Sequence, residues 1–306
     1  MRPALQRSRM DFLTTIVRPV TIEGVGLHSG ERVSMTLQPA APRTGIVFVR
    51  TDLGGVDVPA VVGNLARTSY ATTLEFDGVV VATVEHVLSA AVGLGIDDLR
   101  VELNACEVPI LDGSAAPVVR LLERAGLRQS EVPRQVMRIQ QPVTVREGDK
   151  FISIAPGRGL QVRYAIAFDH PAIGDSQRQF VLRRRTYIRD IAPARTFCRL
   201  DEVEALREAG LARGGSLENA LVVDGEGLMN GPLRYRDEYV RHKILDLIGD
   251  LALLGLPVEG VIRAERAGHD LHTRLVRELV AQPETWSLVP GAAVARPSAV
   301  AVAVPA

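Results

Sequence analysis

Arg241-His-Lys-Ile-Leu-Asp-Leu-Ile-Gly-Asp-Leu251 reads as a helix in which His242, Asp246 and Asp250 fall at i, i+4 and i+8, one row along the surface. Ile244, Leu245, Leu247, Ile248, Leu251 and Leu253 occupy nearly every other direction, so little of this helix can face water. A second stretch, His86-Val-Leu-Ser-Ala-Ala-Val-Gly-Leu-Gly95, also sets a histidine at the start of an apolar, glycine-containing helix. The pair points to an internal duplication.

The flanking pattern agrees. From Thr15 to Val81 the apolar period is near two: Val33, Met35 and Leu37 alternate with polar residues, and Asp77-Gly78 separates Leu74-Glu-Phe76 from Val79-Val-Val81. Thr83 is placed as an N-cap for the helix through Val92, which stops at Gly93 and Gly95. A strand over Leu99–Leu103, an Asp112-Gly113 turn and a helix over Ala115–Ala125 follow. The second half repeats the order: strands over Val136–Val145, Phe151–Ala155 and Leu160–Phe168, helix Glu202–Ala209, strand Leu221–Val223, helix Tyr239–Leu254, strand Val261–Ala264 and helix Leu271–Val280. The expected organisation is a tail at 1–14, a first α+β domain at 15–129, a polar, proline-containing linker at 130–134, a second α+β domain at 135–296 and a small-residue tail at 297–306.

Composition narrows the function classes. The chain has 306 residues, 36 Lys+Arg against 36 Asp+Glu and only 4% aromatic residues, so it has neither the basic field nor the rings of a nucleic-acid binder. No apolar run approaches the ~20 residues that span a bilayer, and Phe12–Val17 is too short and too interrupted for a signal-peptide core. Cys106 and Cys198 stand far apart with no CxxC pair, as suits a reducing compartment; the expected location is the cytoplasm.

Two readings of the 242–250 row remain open on the residues alone. It is either a solvent-facing stripe or a buried ligand set, since burying two carboxylates requires a cation or hydrogen-bond donors. A histidine and a carboxylate one turn apart can share one Zn²⁺, which needs a third protein ligand and a position for water. Thr83-Val-Glu-His86 is the leading source: with His86 on the ion, Glu85 would aim about 100° away, beside it, although an acid in a helix's first turn is also favoured by the macrodipole alone. Gly268-His269-Asp270 lies at a strand-to-helix corner and is a second acid–base candidate, whereas His272 reads as a surface residue of the following helix. His28 sits in a glycine-rich turn that lacks the pattern of a nucleotide-binding loop, and His170 precedes Pro171.

Taken in order, Gly24-Val-Gly-Leu-His-Ser-Gly30, Thr83-Val-Glu-His86, Leu111-Asp-Gly-Ser-Ala-Ala-Pro117, Ala194-Arg-Thr-Phe197, Gly214-Gly-Ser216, Arg241-His-Lys-Ile-Leu-Asp246 with Gly249-Asp250, and Gly268-His269 closely resemble the UDP-3-O-acyl-N-acetylglucosamine deacetylase family of lipid A biosynthesis. The resemblance runs from Thr15 to Leu279. It implies a zinc amidase of a Gram-negative bacterium built from two similar α+β domains, with helices sandwiched between two sheets. It implies His86, His242 and Asp246 as zinc ligands, Glu85 as the base that activates water, and His269 as the acid that protonates the leaving amine. Asp250 would orient His269, and Thr196 would help stabilise the oxyanion.

Lys243 and Arg266 are cations suited to a pyrophosphate or to developing charge. Phe168 matches the position at which the family stacks uracil, and Phe197 is grouped with it as a substrate contact. Lys150 is a phosphate candidate with an equally good reading as a surface-turn residue. Leu200, Val203 and Leu217 are candidates for an acyl trench, each also readable as core packing. The expected partner is a UDP-linked acylated glucosamine, and a monomer is expected. The rival readings are another zinc amidohydrolase acting on an acylated amino sugar, and a non-catalytic nucleotide- or lipid-binding protein whose polar helix is a buried hydrogen-bond network.

Overall fold

The computed structural model describes residues 11–291. Six helices are present among them: α1 (Glu85–Leu94), α2 (Ala116–Ala125), α3 (Arg184–Asp190), α4 (Leu200–Glu208), α5 (Glu238–Leu251) and α6 (His269–Ala281). The first half carries a five-stranded sheet in the order Val20–Val25, Arg32–Pro39, Leu99–Leu103, Ile46–Arg50, Val56–Pro59. The second half arranges Val143–Glu147, Lys150–Ala155, Val258–Glu265, Leu160–Ala167 and Asp175–Val181 in the same order, extended by Gln135–Ile139 and Trp286–Pro290. Pairing sense is also repeated: antiparallel at every step except between Leu99–Leu103 and Ile46–Arg50, and between Val258–Glu265 and Leu160–Ala167, which are parallel. The fold is α+β with two similar halves.

Period-two patterning explains the strands. In Arg32–Pro39 the alternating Val33, Met35 and Leu37 are buried, and in Leu160–Ala167 so are Leu160, Val162, Tyr164 and Ile166. Asp77 and Gly78 both have positive φ, the conformation a two-residue hairpin turn requires between Thr73–Phe76 and Val79–Val81. The halves differ in what precedes the histidine helix: a small three-stranded sheet before α1, but α3, α4 and another three-stranded sheet before α5.

Helices lie between the sheets. α2 packs on Val20–Val25, α5 on Leu160–Ala167 and Asp175–Val181, and α6 on Val143–Glu147 and Lys150–Ala155. α1 packs against α5, so both halves share one continuous apolar core. Gly249 makes this possible: a Cβ there would overlap the carbonyl oxygen and main chain of Glu85, so only glycine lets α5 come that close to the first turn of α1.

Three expectations are corrected. Residues 12–14, placed in a tail, belong to the strand Phe12–Ile16, while residues 1–10 and 297–306 lie outside the described residues. The proposed linker at 130–134 is mostly strand, because Leu127–Pro133 pairs antiparallel with Phe12–Ile16. Arg134 pins the join through Asp11 (2.9 Å), Asp97 (2.5 Å) and the carbonyl of Gly95. Thr83 is not the N-cap of α1: Val84 holds that place, and Thr83, at φ 60°, turns its hydroxyl to the buried Glu107 instead (2.8 Å).

Replacing Gly249 by Ala drives a Cβ into the main chain of Glu85, which no side-chain rotation relieves. Urea unfolding should show a loss of about 2 kcal/mol or more, in the range of core overpacking; a variant as stable as the wild type would contradict the close approach.

Candidate metal centre and active site

Crossing at Gly249 brings the start of α1 against one row of α5. That row is longer than the sequence suggested, with Glu238, His242, Asp246 and Asp250 at four-residue spacing and all buried. His242 Nε2 lies 3.2 Å from Asp246 Oδ1, and His86 Nε2 lies 3.8 Å from the same oxygen. The two imidazoles stand edge to face at 5.1 Å and 88°. One donor atom from each of His86, His242 and Asp246 lies within 4.8 Å of the other two.

These residues fit a metal ion on a point independent of spacing. Asp246 Oδ1 is buried and has no hydrogen-bond partner, a costly state for a carboxylate oxygen unless a cation faces it. Its other oxygen takes Lys243 Nζ at 2.8 Å. His242 Nδ1 lies 3.0 Å from the Ala194 carbonyl, which fixes the proton on Nδ1 and leaves the Nε2 lone pair free towards Asp246. Burial lowers both imidazoles, His86 to about 3, so they stay neutral and able to ligate. Burial alone would raise Asp246, but the charged Lys243 and His269 beside it outweigh that and hold the carboxyl below its usual range.

Glu85, the first residue of α1, is buried beside this trio, and burial pushes its carboxyl up to about 7. Its Oε2 accepts the Thr72 N–H (3.1 Å), and its Oε1 is 3.8 Å from His269 Nε2. His269 opens α6 and puts Nδ1 2.8 Å from Asp250 Oδ2. Burial would lower this imidazole, but Asp250, with Asp246 and Glu85, more than offsets it and raises it to about 9. Thr72 Oγ1 donates to Asp250 Oδ1 at 2.6 Å, so Thr72 ties the Glu85 carboxylate and the partner of His269 together.

Glu238 anchors the segment that carries Thr196. Its carboxylate accepts the Arg195 N–H (3.1 Å) and Arg195 Nε (2.9 Å), holding the Ala194-Arg-Thr-Phe197 segment against α5. That segment supplies both the Ala194 carbonyl and Thr196, whose own N–H bonds to Gly113 (2.8 Å). Glu107 does the same for the glycine-rich turn, accepting the N–H groups of His28 (2.9 Å) and Ser29 (2.7 Å) along with the Thr83 hydroxyl. That motif is therefore a built turn packed against the entrance to α1. His170 serves a local turn, its Nδ1 lying 3.2 Å from the Ala172 N–H.

A cavity of about 600 Å³ opens over these groups. Glu85, His86, Thr196, His242, Asp246 and His269 line it together with Lys150, Phe168, Phe197, Lys243 and Arg266. Phe168 and Phe197 pack edge to face at 5.5 Å, and Lys243 Nζ lies over the Phe197 ring at 5.7 Å. Arg266 pairs with Asp149. The acyl candidates Leu200, Val203 and Leu217 do not line this cavity; Leu200 and Leu217 are exposed on α4 and the loop after it. Its apolar lining includes Phe168 and Phe197 together with Leu27, Tyr70, Ile110, Ile166 and Leu271; of these Leu27 lies within, and Ile110 beside, a motif quoted above.

His272 corrects another expectation. It is completely buried, with Nδ1 2.8 Å from Asp250 Oδ2 and Nε2 2.8 Å from the Tyr164 hydroxyl. Asp250 approaches from α5 and covers the face of α6 that its own sequence left looking solvated.

A model of the UDP-3-O-acyl N-acetylglycosamine deacetylase family matches residues 13–281. The chain belongs to this family. It is 48% identical over 292 residues to the UDP-3-O-acyl-N-acetylglucosamine deacetylase of Myxococcus xanthus (strain DK1622), covering 95% of this chain and 91% of the relative. It is 45% identical over 282 residues to the enzyme of the same name from Syntrophotalea carbinolica, covering 92% of this chain and 91% of the relative. No helix among the described residues is long and apolar enough to cross a membrane.

Replacing Glu238 by Ala strands Arg195 and frees the Thr196 segment. It should cost about 3 kcal/mol in urea unfolding, as for breaking a buried ion pair; a loss below about 0.5 kcal/mol would show that Glu238 does not hold the segment.

Proposed function

We propose that this protein hydrolyses the N-acetyl group of UDP-3-O-acyl-N-acetylglucosamine, giving UDP-3-O-acyl-glucosamine and acetate for lipid A biosynthesis, in the cytoplasm and with zinc as its metal. The observation that carries the reading is the buried, unpartnered Asp246 Oδ1 facing two neutral imidazoles, with Glu85 and His269 on either side, in a member of this family. His86, His242 and Asp246 would hold Zn²⁺, which supplies Lewis-acid polarisation and makes water nucleophilic near neutral pH.

The side chains then divide the remaining work. An amide is a poor electrophile with a poor leaving group, so water must lose a proton, the carbonyl oxygen must be stabilised and the nitrogen must gain a proton. Glu85 takes the proton as the water oxygen bonds to the acetyl carbon. The Thr196 hydroxyl donates to the carbonyl oxygen as charge builds there. When the C–N bond breaks, His269 delivers its Nε2 proton to the departing nitrogen, and Asp250 on Nδ1 keeps the ring oriented and charged beforehand. Lys243 neutralises Asp246 and adds positive charge to the cavity lining. Phe168 and Phe197 offer ring faces and edges to the uracil, while Lys150 and Arg266 in the same lining suit the diphosphate.

Metal analysis should find one tightly held zinc per chain, and chelation should abolish turnover until one equivalent is returned. Full activity after exhaustive chelation would refute the reading. Glu85→Ala should keep its zinc yet lose at least ~10²-fold in kcat; an unchanged rate would remove it as the base. Plain UDP-N-acetylglucosamine should turn over far more slowly than its 3-O-acyl derivative, whereas equal rates would favour a different amidohydrolase.

A further inference from the structure

His272 lies behind Asp250, outside the lining of the cavity, and touches neither His86, His242 nor Asp246 through a hydrogen bond. A buried position on α6 flanked by Leu271 and Leu275 would be filled at lower cost by an apolar side chain. The imidazole instead completes a three-point hold on one carboxylate. Asp250 Oδ1 accepts Thr72 Oγ1 at 2.6 Å, and Oδ2 faces both His269 Nδ1 and His272 Nδ1 at 2.8 Å. A carboxylate bonded at one oxygen can still turn about its Cβ–Cγ bond, and donors on both oxygens from different elements stop that rotation.

The hold extends to the loop that carries His269. Tyr164, buried in the strand Leu160–Ala167, places its hydroxyl 2.8 Å from His272 Nε2 and donates to the Ala267 carbonyl, also at 2.8 Å. The Tyr164 and His272 rings meet edge to face at 5.8 Å and 81°. Ala267 stands two residues before His269, so the network begins and ends on the same catalytic element.

We infer that His272, braced by Tyr164, is a positioning residue that locks the Asp250 carboxylate in the orientation that presents Oδ2 to His269. The inference rests on the proposed role of His269 as the acid. It assigns His272 no contact with substrate and no proton transfer.

The test uses the zinc-loaded, full-length protein. His272→Leu leaves Asp250 bonded to Thr72 and His269 and Tyr164 bonded to the Ala267 carbonyl, so it should fold, with zinc content and a cooperative thermal transition retained. Its kcat should fall by about tenfold or more with KM changed less than about twofold, the scale of a lost outer partner. His272→Asn places an amide nitrogen at the same distance from Cβ as Nδ1 and should recover most of that loss although it no longer reaches Tyr164. The downfield proton resonance of the His269–Asp250 hydrogen bond should persist in the Asn variant and weaken or vanish in the Leu variant. Near-wild-type kcat for His272→Leu, or equal losses in the Leu and Asn variants, would overturn the inference. His269→Ala separates the two claims: if it is inactive while His272→Leu is not, only the positioning fails; if it is fully active, the acid reading fails.

Discussion

Backbone contact between Gly249 of α5 and Glu85 of α1 determines how far apart the reacting groups can stand. His86 comes from one half of the duplicated fold, and His242 and Asp246 from the other. Their side chains reach a common point only because two helices meet with no Cβ between them. Because α1 and α5 occupy equivalent places in two sheets of the same strand order, the duplication itself brings the two histidine-bearing helices face to face. Each half alone would leave an incomplete set of donors.

The cost of this arrangement is a dense cluster of buried polar groups, met by compensation from several elements. Glu238 takes main-chain and guanidinium donors from Arg195, Asp246 takes Lys243, and Asp250 takes Thr72, His269 and His272. Among the carboxylate oxygens of this row, Asp246 Oδ1 is the one left without a partner. Carboxylates compensated everywhere except at one oxygen that faces two imidazoles are what a cation site requires. Different surroundings push the neighbouring acid and base apart: burial raises Glu85 to about 7, while Asp250 sustains the charge on His269.

Much of this was legible in the sequence, for identifiable reasons. Four-residue spacing inside an apolar segment exposed His242, Asp246 and Asp250, because a helix repeats nearly every turn and the flanking Ile and Leu left them no solvent. Glu238 belongs to the same row but escapes the pattern, because the apolar run begins at Tyr239 and helix ends are the weakest part of any pattern. His272 reads as a surface residue because the local series His269-Asp-Leu-His-Thr-Arg looks amphipathic, and nothing nearby in the chain reveals that Asp250 covers it. Residues 12–14 and 130–133 of the ribbon formed by Phe12–Ile16 and Leu127–Pro133 read as tail and linker, since the two strands lie over a hundred residues apart and the outer face is polar. Leu200 and Leu217 stand close in sequence to the motifs, yet the apolar part of the cavity lining comes from Phe168, Phe197, Ile166 and Leu271 with Leu27, Tyr70 and Ile110.

The central claim is that two imidazoles and one carboxylate converge on a single divalent ion. X-ray absorption at the zinc edge of the reconstituted protein reads that shell directly. The account predicts only nitrogen and oxygen neighbours at about 2.0–2.1 Å, with the outer-shell scattering of two imidazole rings. A sulfur shell near ~2.3 Å, which would place Cys106 or Cys198 on the metal, or the absence of imidazole scattering, would contradict it.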